Sequence, residues 1–346
     1  MDNHMTQPPP KPLNTWIAQW LSTSDEQFQL TLLAGDGSPR KFYRLQHGQL
    51  TYLVVEDTGW HLSKDYPPHQ QFLKSRGMKV PDFIHVDEAA GIGVMQDLGD
   101  ELAQRRILRS KEERQEWLKK SAATLADLHR VTYPVPTDLP AASRSFDQAK
   151  YFDELSFTFE HLCRLHLNLA PLSREALSNI QKYCDSIASL GPKVFCHRDY
   201  HARNLMIFDD ELYLIDFQDA RLGSPHYDLA SLIYDPYISP SPEEEQMMIE
   251  TYRTGLGNSE LFRSILWKSF EDDLAAVGFQ RMVKAAGSFA SFYTRYNKST
   301  HLCYLEPALK TAKKLQESPG IMSQYPKLLD ISWWLELLHA MDQETL

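Results

Sequence analysis

The segment HRDYHARN (197–204), followed by Leu214-Ile215 and then Asp216-Phe217, constrains this chain more than any other stretch. It reads H-x-D-x-x-x-x-N, then an apolar strand that ends in Asp-Phe. Apolar residues precede each polar cluster, Val194-Phe195 before the first and Leu214-Ile215 before the second. H-x-D alone is common, and Asp-Phe alone carries no information. The joint pattern, with a hairpin-sized gap between its halves, carries the reading.

Phosphoryl transfer needs residues of these types at this spacing. A carboxylate must lie near the acceptor hydroxyl to orient it and take its proton, and Asp199 is the candidate. Divalent metal must bridge the donor phosphates. Mg²⁺ takes few protein oxygens and keeps water for the rest. Asn204 offers an amide oxygen and Asp216 a carboxylate. The gap between Asp199 and Asn204 lets one loop serve both acceptor and metal, while the strand Glu211 to Ile215 delivers Asp216. His197 reads as a structural post beneath the loop. His197 and His201 have the i, i+4 spacing of zinc ligands, but the pair spans a loop rather than a helix, so zinc is not expected.

Composition narrows the function classes. At 346 residues the length allows about two domains. The net charge of −10 argues against non-specific nucleic-acid binding, which needs a basic face. No apolar run reaches membrane-spanning length. Residues 1–12 are polar and proline-rich, without the apolar stretch of a signal peptide, and read as a disordered tail. The four cysteines (Cys163, Cys184, Cys196, Cys303) lack metal or disulfide spacing. A reduced, cytoplasmic compartment fits that pattern.

Along the chain, Leu13 to Leu21 has an amphipathic helical pattern. Strands are expected at Phe28–Ala34, Lys41–His47 and Leu50–Val55, then a helix at about His69–Arg76, then strands at Phe83–Val86 and Ile92–Met95. The turn Gly35-Asp36-Gly37-Ser38-Pro39 is a hairpin by composition. With the downstream motif it is favoured as a loop whose N–H groups cover nucleotide phosphates. Beyond residue 100 the pattern is helical: Glu112–His129, Asp147–Leu167, Ser173–Leu190, Pro242–Leu256, Leu261–Phe289, Leu302–Glu317 and Leu328–Met341. The expected fold is α+β with a small antiparallel-sheet lobe (13–96) and a large, mostly helical lobe (97–346). Met95, Gln96, Asp97 and Leu98 form the expected hinge, whose backbone would meet the adenine. Asp228 is either a helix N-cap or, as favoured here, a brace for the backbone of the His197–Asp199 loop.

These features together resemble the aminoglycoside phosphotransferase superfamily, a kinase-like group. The resemblance covers nearly the whole chain and rests on Leu125–His129, HRDYHARN, IDFQDA (215–220) and the later YDL. Details including LAGDGSPRKFYRL (33–45), DLGD (97–100) and GFQRMVKAAGSFA (278–290) are similar to the bacterial sugar kinases that phosphorylate the anomeric hydroxyl of N-acetylmuramate and N-acetylglucosamine in cell-wall recycling. The resemblance implies a protein-kinase-like two-lobe fold, with ATP and Mg²⁺ as donor and cofactor. It implies Asp199 as base, Asn204 and Asp216 as metal ligands, and a small sugar as substrate; a monomer is expected, and charge and hydropathy leave no nucleic acid or membrane among its expected partners.

The chain departs from the general kinase pattern at its third strand. Tyr52-Leu53-Val54-Val55-Glu56 has no lysine for the phosphates, and the following helix has no glutamate to pair with one. Loop amides, metal and Arg44 or Lys41 are the substitutes expected. On the acceptor side Arg203, Asp219, Gln280, Arg281 and Lys284 are the candidates. The last three share a helix face whose positive charge suits a lactyl carboxylate. Two alternatives keep other functions open: another small hydroxyl acceptor (aminoglycoside, choline-like or homoserine-like), or a nucleotide-binding pseudokinase. A cationic acceptor would need an acidic pocket, for which Glu243-Glu244-Glu245 is the available run. No activation segment is recognisable between Asp216 and Asp228, which argues against a protein kinase.

Overall fold

The computed structural model describes residues 13–24, 27–33, 40–57 and 62–325. The Gly35–Ser38 loop expected to cover phosphates, the N-terminal tail and the helix expected at 328–341 lie outside the described residues. The chain divides into two compact units. One runs to Gln70 and resumes over Pro81–Gly99; the other comprises Gln71–Val80 and the chain from Asp100.

The first unit is built on α1 (Leu13–Leu21), β1 (Gln29–Leu33), β2 (Lys41–His47) and β3 (Leu50–Glu56). After α2 (Leu62–Ser75) come β4 (Phe83–Asp87) and β5 (Ile92–Gln96). The five strands form one antiparallel sheet in the order β1-β2-β3-β5-β4. A two-residue turn joins β2 to β3, and Gly48 takes the positive φ (60°) that such a turn demands. Alternation along the strands sends Leu45, Val54 and Val94 to one face, where they pack with Trp16 and Ile17 of α1. Trp16 Nε1 donates to Asp87 Oδ2 at 2.7 Å, which ties the helix to β4. The sequence pattern places the start of α2 near His69. The helix begins at Leu62 instead and runs through Pro67-Pro68, although proline lacks the N–H that a helix interior uses.

The second unit is mostly helical. Its early elements are α3 (Ala103–Ile107), α4 (Lys111–Thr132), α5 (Gln148–Thr158) and α6 (Arg174–Ser189). Then come three short strands, β6 (Val194–Cys196), β7 (Leu205–Phe208) and β8 (Glu211–Leu214), followed by β9 (Arg221–Gly223). The remaining helices are α7 (His226–Ile233), α8 (Pro242–Leu256), α9 (Glu260–Ser264), α10 (Phe270–Tyr296), α11 (Leu305–Gln316) and α12 (Pro319–Gln324). Helix α10 is apolar and buried around most of its circumference because α5, α7 and α11 all pack on it.

Three helical expectations are corrected here. The Asp147–Leu167 helix changes to π-helical turns at Phe159–His166. Leu261–Phe289 is not one helix, because α9 stops at Ser264 and α10 starts at Phe270. The Trp267 indole N–H donates to Phe262 O at 2.9 Å and folds the connecting turn back on α9. Leu302–Tyr304 is a 3₁₀ turn that leads into α11. The acidic run of α8 is divided, since Glu243 lines an open surface concavity with Glu250 while its two neighbours are paired. Glu244 closes a capping box with Ser241 and pairs with Arg114 at 2.6 Å, and Glu245 pairs with Lys314 at 3.3 Å.

Helix α10 approaches α5 most tightly at Gly287. A Cβ there would meet the Thr158 hydroxyl and lie 2.6 Å from Thr158 Cα. Backbone cannot move aside as a side chain can, so this overlap outweighs the ~1 kcal/mol of helix propensity that alanine would add. Gly287→Ala is therefore expected to destabilise the protein by about 1–3 kcal/mol. Urea denaturation of the variant beside the wild type measures this.

Candidate active site

Short strands of the second unit deliver the polar segment. Strand β6 pairs antiparallel with β9 and leads directly into His197. Strands β7 and β8 form a hairpin closed by Asp209-Asp210, both at positive φ (51° and 58°). The hairpin ladder continues through Ile215 N–H to Asn204 O at 3.2 Å. Asn204 and Asp216 therefore emerge at the same end of the hairpin.

The loop between β6 and β7 is held by buried carboxylates. Asp228 accepts from the backbone N–H of His197 (2.6 Å) and of Arg198 (2.9 Å). It lies inside α7, whose N-cap position is Pro225, so the N-cap alternative is set aside. His129, at the end of α4, adds a contact to Asp228 at 3.4 Å. His197 Nε2 donates to Ile215 O at 2.8 Å and so links this loop to the residue before Asp216. Asp235 does the same work further along, accepting from Ala202 N–H (2.9 Å) and Tyr237 N–H (2.8 Å). Burial pushes the Asp235 carboxyl up to about 6 in spite of those two donors. Two non-glycine residues of the segment, Arg198 (φ 81°) and Asp216 (φ 64°), adopt left-handed backbone that is costly unless surrounding bonds impose it.

Asp199 sits at the centre of a charge network. Lys284 Nζ lies 2.7 Å and Arg281 Nη2 3.2 Å from its Oδ1. The nearest cation to Oδ2 is Arg198 Nε at 3.9 Å. Burial disfavours the charged carboxylate, but Lys284, Arg198 and Arg281 together outweigh it and hold Asp199 well below the usual carboxylate range. Glu154 of α5 lies behind this group. It accepts from Gln280 Nε2 (3.1 Å) and Tyr227 Oη (3.2 Å), and pairs with Lys150 at 3.3 Å. A small cleft of about 60 Å³ opens beside Asp199, lined by His201, Ser231, Tyr237, Arg281, Lys284 and Phe289 among others.

Other sequence candidates fall elsewhere. Arg203 stacks 4.8 Å over the Tyr237 ring and meets His301 Nε2 at 3.4 Å. Asp219 is half-exposed and 3.5 Å from Arg198 Nη1. Gln280 is fully buried, its amide turned to Glu154. In the first unit Arg44 makes a two-pronged pair with Asp97 (2.6 and 3.0 Å), and Lys41 pairs with Glu56 at 3.4 Å. Gln96 accepts from Asp82 N–H at 3.2 Å, while Met95 and Leu98 are buried.

Sequence reasoning missed Glu154, Asp235 and the part played by Arg198. Asp235 had a signal: it follows Asp228 by two helical turns in YDLASLIYD. Glu154 had none, being one acidic residue in an ordinary amphipathic helix.

The donor set suits a hard divalent cation. Asn204 Nδ2 donates to Asp199 O at 2.9 Å, which fixes the amide and directs its oxygen away from that carbonyl. Gln218 Nε2 steadies Asp216 Oδ1 at 2.7 Å. One amide oxygen and one carboxylate match Mg²⁺, which takes its other ligands from water and phosphate. Among the described residues no group of three His, Cys, Asp or Glu is placed to hold a metal.

Several known proteins are similar to this chain. A curated N-acetylmuramate/N-acetylglucosamine kinase from Caulobacter vibrioides is 26% identical over 335 residues, covering 81% of this chain and 89% of the relative. Choline kinase LicA from Streptococcus pneumoniae superposes with a TM-score of 0.61 at 17% identity, covering 87% of this chain and 99% of that one. ADP-bound aminoglycoside phosphotransferase APH(2'')-Ib gives 0.58 at 16% identity, covering 87% and 97%. The fold is thus the kinase-like α+β fold, with an antiparallel-sheet lobe and a mostly helical lobe. The model of the APH phosphotransferase enzyme family matches residues 30–262, and this chain belongs to that family, as a phosphotransferase with a hydroxyl acceptor.

Proposed function

We propose that this protein transfers the terminal phosphoryl group of ATP to the anomeric hydroxyl of N-acetylmuramate and/or N-acetylglucosamine, with Mg²⁺, in the recycling of cell-wall sugars. The observation that carries the reading is Asp199, clamped through one oxygen by Lys284 and Arg281 at the edge of a cleft. The similarity to the Caulobacter vibrioides kinase over most of both chains supports the sugar class. The cations beside Asp199 weigh against choline-like or aminoglycoside acceptors, whose own positive charge would be repelled there.

With Oδ1 engaged by two cations, Oδ2 is the oxygen that faces the acceptor. It accepts a hydrogen bond from the sugar hydroxyl and aims a lone pair of that oxygen at phosphorus. As the new O–P bond forms and the bond to the leaving diphosphate breaks, the hydroxyl proton passes to Asp199. A carboxylate held at such low basicity takes the proton late, after O–P bonding has acidified the hydroxyl. An anomeric hydroxyl, attached to a hemiacetal carbon, is more acidic than other sugar hydroxyls and suits a weak base. Mg²⁺ held by Asn204 and Asp216 would neutralise charge on the donor phosphates when bound.

A coupled ADP-release assay with Mg-ATP against N-acetylmuramate, N-acetylglucosamine, glucose, kanamycin and choline tests the reading. Turnover on the N-acetyl sugars, giving an acid-labile sugar phosphate, is the expected result. Turnover confined to choline or kanamycin overturns it, and nucleotide binding without turnover on any acceptor favours a nucleotide sensor.

Asp199→Asn is expected to lower kcat by about 10²–10⁴-fold while ATP binding persists, as equilibrium dialysis beside steady-state kinetics would show. Lys284→Met should act through pH. Asp199 must be ionised to accept the proton, and Lys284 is the strongest of the cations that oppose burial. Its loss raises the Asp199 carboxyl, so the acid limb of kcat/KM moves to higher pH. An acid limb that stays in place would show that Lys284 does not set the charge state of Asp199.

A further inference from the structure

Helix α5 carries one carboxylate on its buried side. Tyr151, Glu154, Leu155 and Thr158 are spaced to share the face that packs on α10, and Glu154 is only 5% exposed. A charge so placed is costly unless it is paired. Its Oε2 is satisfied, accepting from Gln280 Nε2 (3.1 Å) and Tyr227 Oη (3.2 Å). Its Oε1 accepts no hydrogen bond among the described residues, although Lys150 Nζ lies 3.3 Å away. Burial disfavours the charged form, but Lys284, Arg198 and Lys150 outweigh it and hold Glu154 below the usual carboxylate range.

Arg198 lies between this carboxylate and Asp199. Its Nε is 3.8 Å from Glu154 Oε1 and 3.9 Å from Asp199 Oδ2. That buried Nε donates to neither, and among the described residues it has no hydrogen-bond partner. The outer end of the guanidinium is held separately, with Nη1 3.5 Å from Asp219 Oδ2. Coulomb attraction falls inversely with distance, so at nearly equal distances the two carboxylates pull about equally on Nε. The balance matters because Asp199 Oδ1 is already taken by Lys284 (2.7 Å) and Arg281 (3.2 Å). Oδ2 is the oxygen left for an acceptor, and Arg198 is the nearest cation to it. A guanidinium that moved in by about 1 Å would reach charge-assisted hydrogen-bond distance and occupy that oxygen.

We propose that Glu154 is a positioning residue that holds Arg198 off Oδ2 of Asp199, so that this oxygen stays open to the acceptor hydroxyl. The role rests on Asp199 as the base in the reading above, and it supplies the counter-anion that such a base needs beside a cation. Asp228 fixes the backbone of Arg198, so the competition between the two carboxylates is left to the side chain. The same arrangement answers the proton transfer. When Asp199 takes the proton and becomes neutral, Glu154 and Asp219 keep the guanidinium paired.

The test is a double-mutant cycle with Mg-ATP, read on whichever N-acetyl sugar the wild type turns over. Glu154→Gln keeps the size of the side chain and an oxygen for Gln280 and Tyr227 but removes the charge. It is expected to lower kcat/KM for the sugar about tenfold to a hundredfold, with the KM for ATP unmoved. In an Arg198→Met background, where no guanidinium can reach Oδ2, the same substitution is expected to cost less than about threefold. A loss of equal size in both backgrounds, or one carried by the KM for ATP, overturns the proposal, since Glu154 would then act through packing rather than through Arg198. If circular dichroism shows that Glu154→Gln does not fold, the cycle is run with Glu154→Asp, which withdraws the charge by one methylene, and the same outcomes decide. If the wild type phosphorylates neither sugar, the sugar-kinase reading fails, and a crystal structure of Glu154→Gln decides the positioning role separately. A guanidinium nitrogen about 3 Å from Asp199 Oδ2 sustains it, and a guanidinium that stays out of hydrogen-bond reach overturns it.

Discussion

The contact on which the site depends is the buried Asp228 carboxylate, which holds the backbone N–H groups of His197 and Arg198. An unmade bond to a buried amide costs about 1–3 kcal/mol, and here one side chain serves two amides at a left-handed residue. Without Asp228 the positive φ of Arg198 (81°) would have nothing to impose it, and the direction of Asp199 would be lost. The same device recurs at Asp235 for Ala202 and Tyr237. Asp228 lies within α7 and Asp235 just beyond its end, so one rigid helix fixes both ends of the catalytic loop.

Charge balance forms the second layer. Burying Lys284 and Arg281 would be costly without anions, and Asp199 and Glu154 supply them. The network therefore serves structure and chemistry together. It stabilises two cations in the helical core, and it lowers the basicity of the residue proposed as base. A strong base is not needed where the transition state is loose and the acceptor hydroxyl is itself acidic.

Much of this was legible in local pattern. Strand β2 and helices α1 and α8 fall where alternation, periodicity and the Ser241-Pro242 start place them. The helical spacing of Arg281 and Lys284 put them on one face, and that face exists. What it meets could not be read, because nothing in residues 278–290 records that Asp199 lies opposite. The helix expected over Leu261–Phe289 failed for a related reason. Its apolar periodicity continues across 265–269, and the break depends on a Trp267 hydrogen bond that periodicity does not contain. The start of α2 was misplaced because proline lowers helix propensity locally, and tertiary context overrode it at Pro67-Pro68.

By itself the sequence determined the reaction class and pointed to the residues proposed to carry it, because phosphoryl transfer needs an acceptor carboxylate and metal oxygens at a spacing that one loop and one hairpin supply. It also determined the α+β character, since alternating and helical periodicities occupy separate stretches of chain. Only the tertiary structure decided which cations pair with Asp199 and which carboxylates brace the loop. Those outcomes depend on distances between residues far apart in the chain, such as Asp199 and Lys284 or Ala202 and Asp235. Coulomb interaction and hydrogen bonding act through those distances, and local sequence does not encode them.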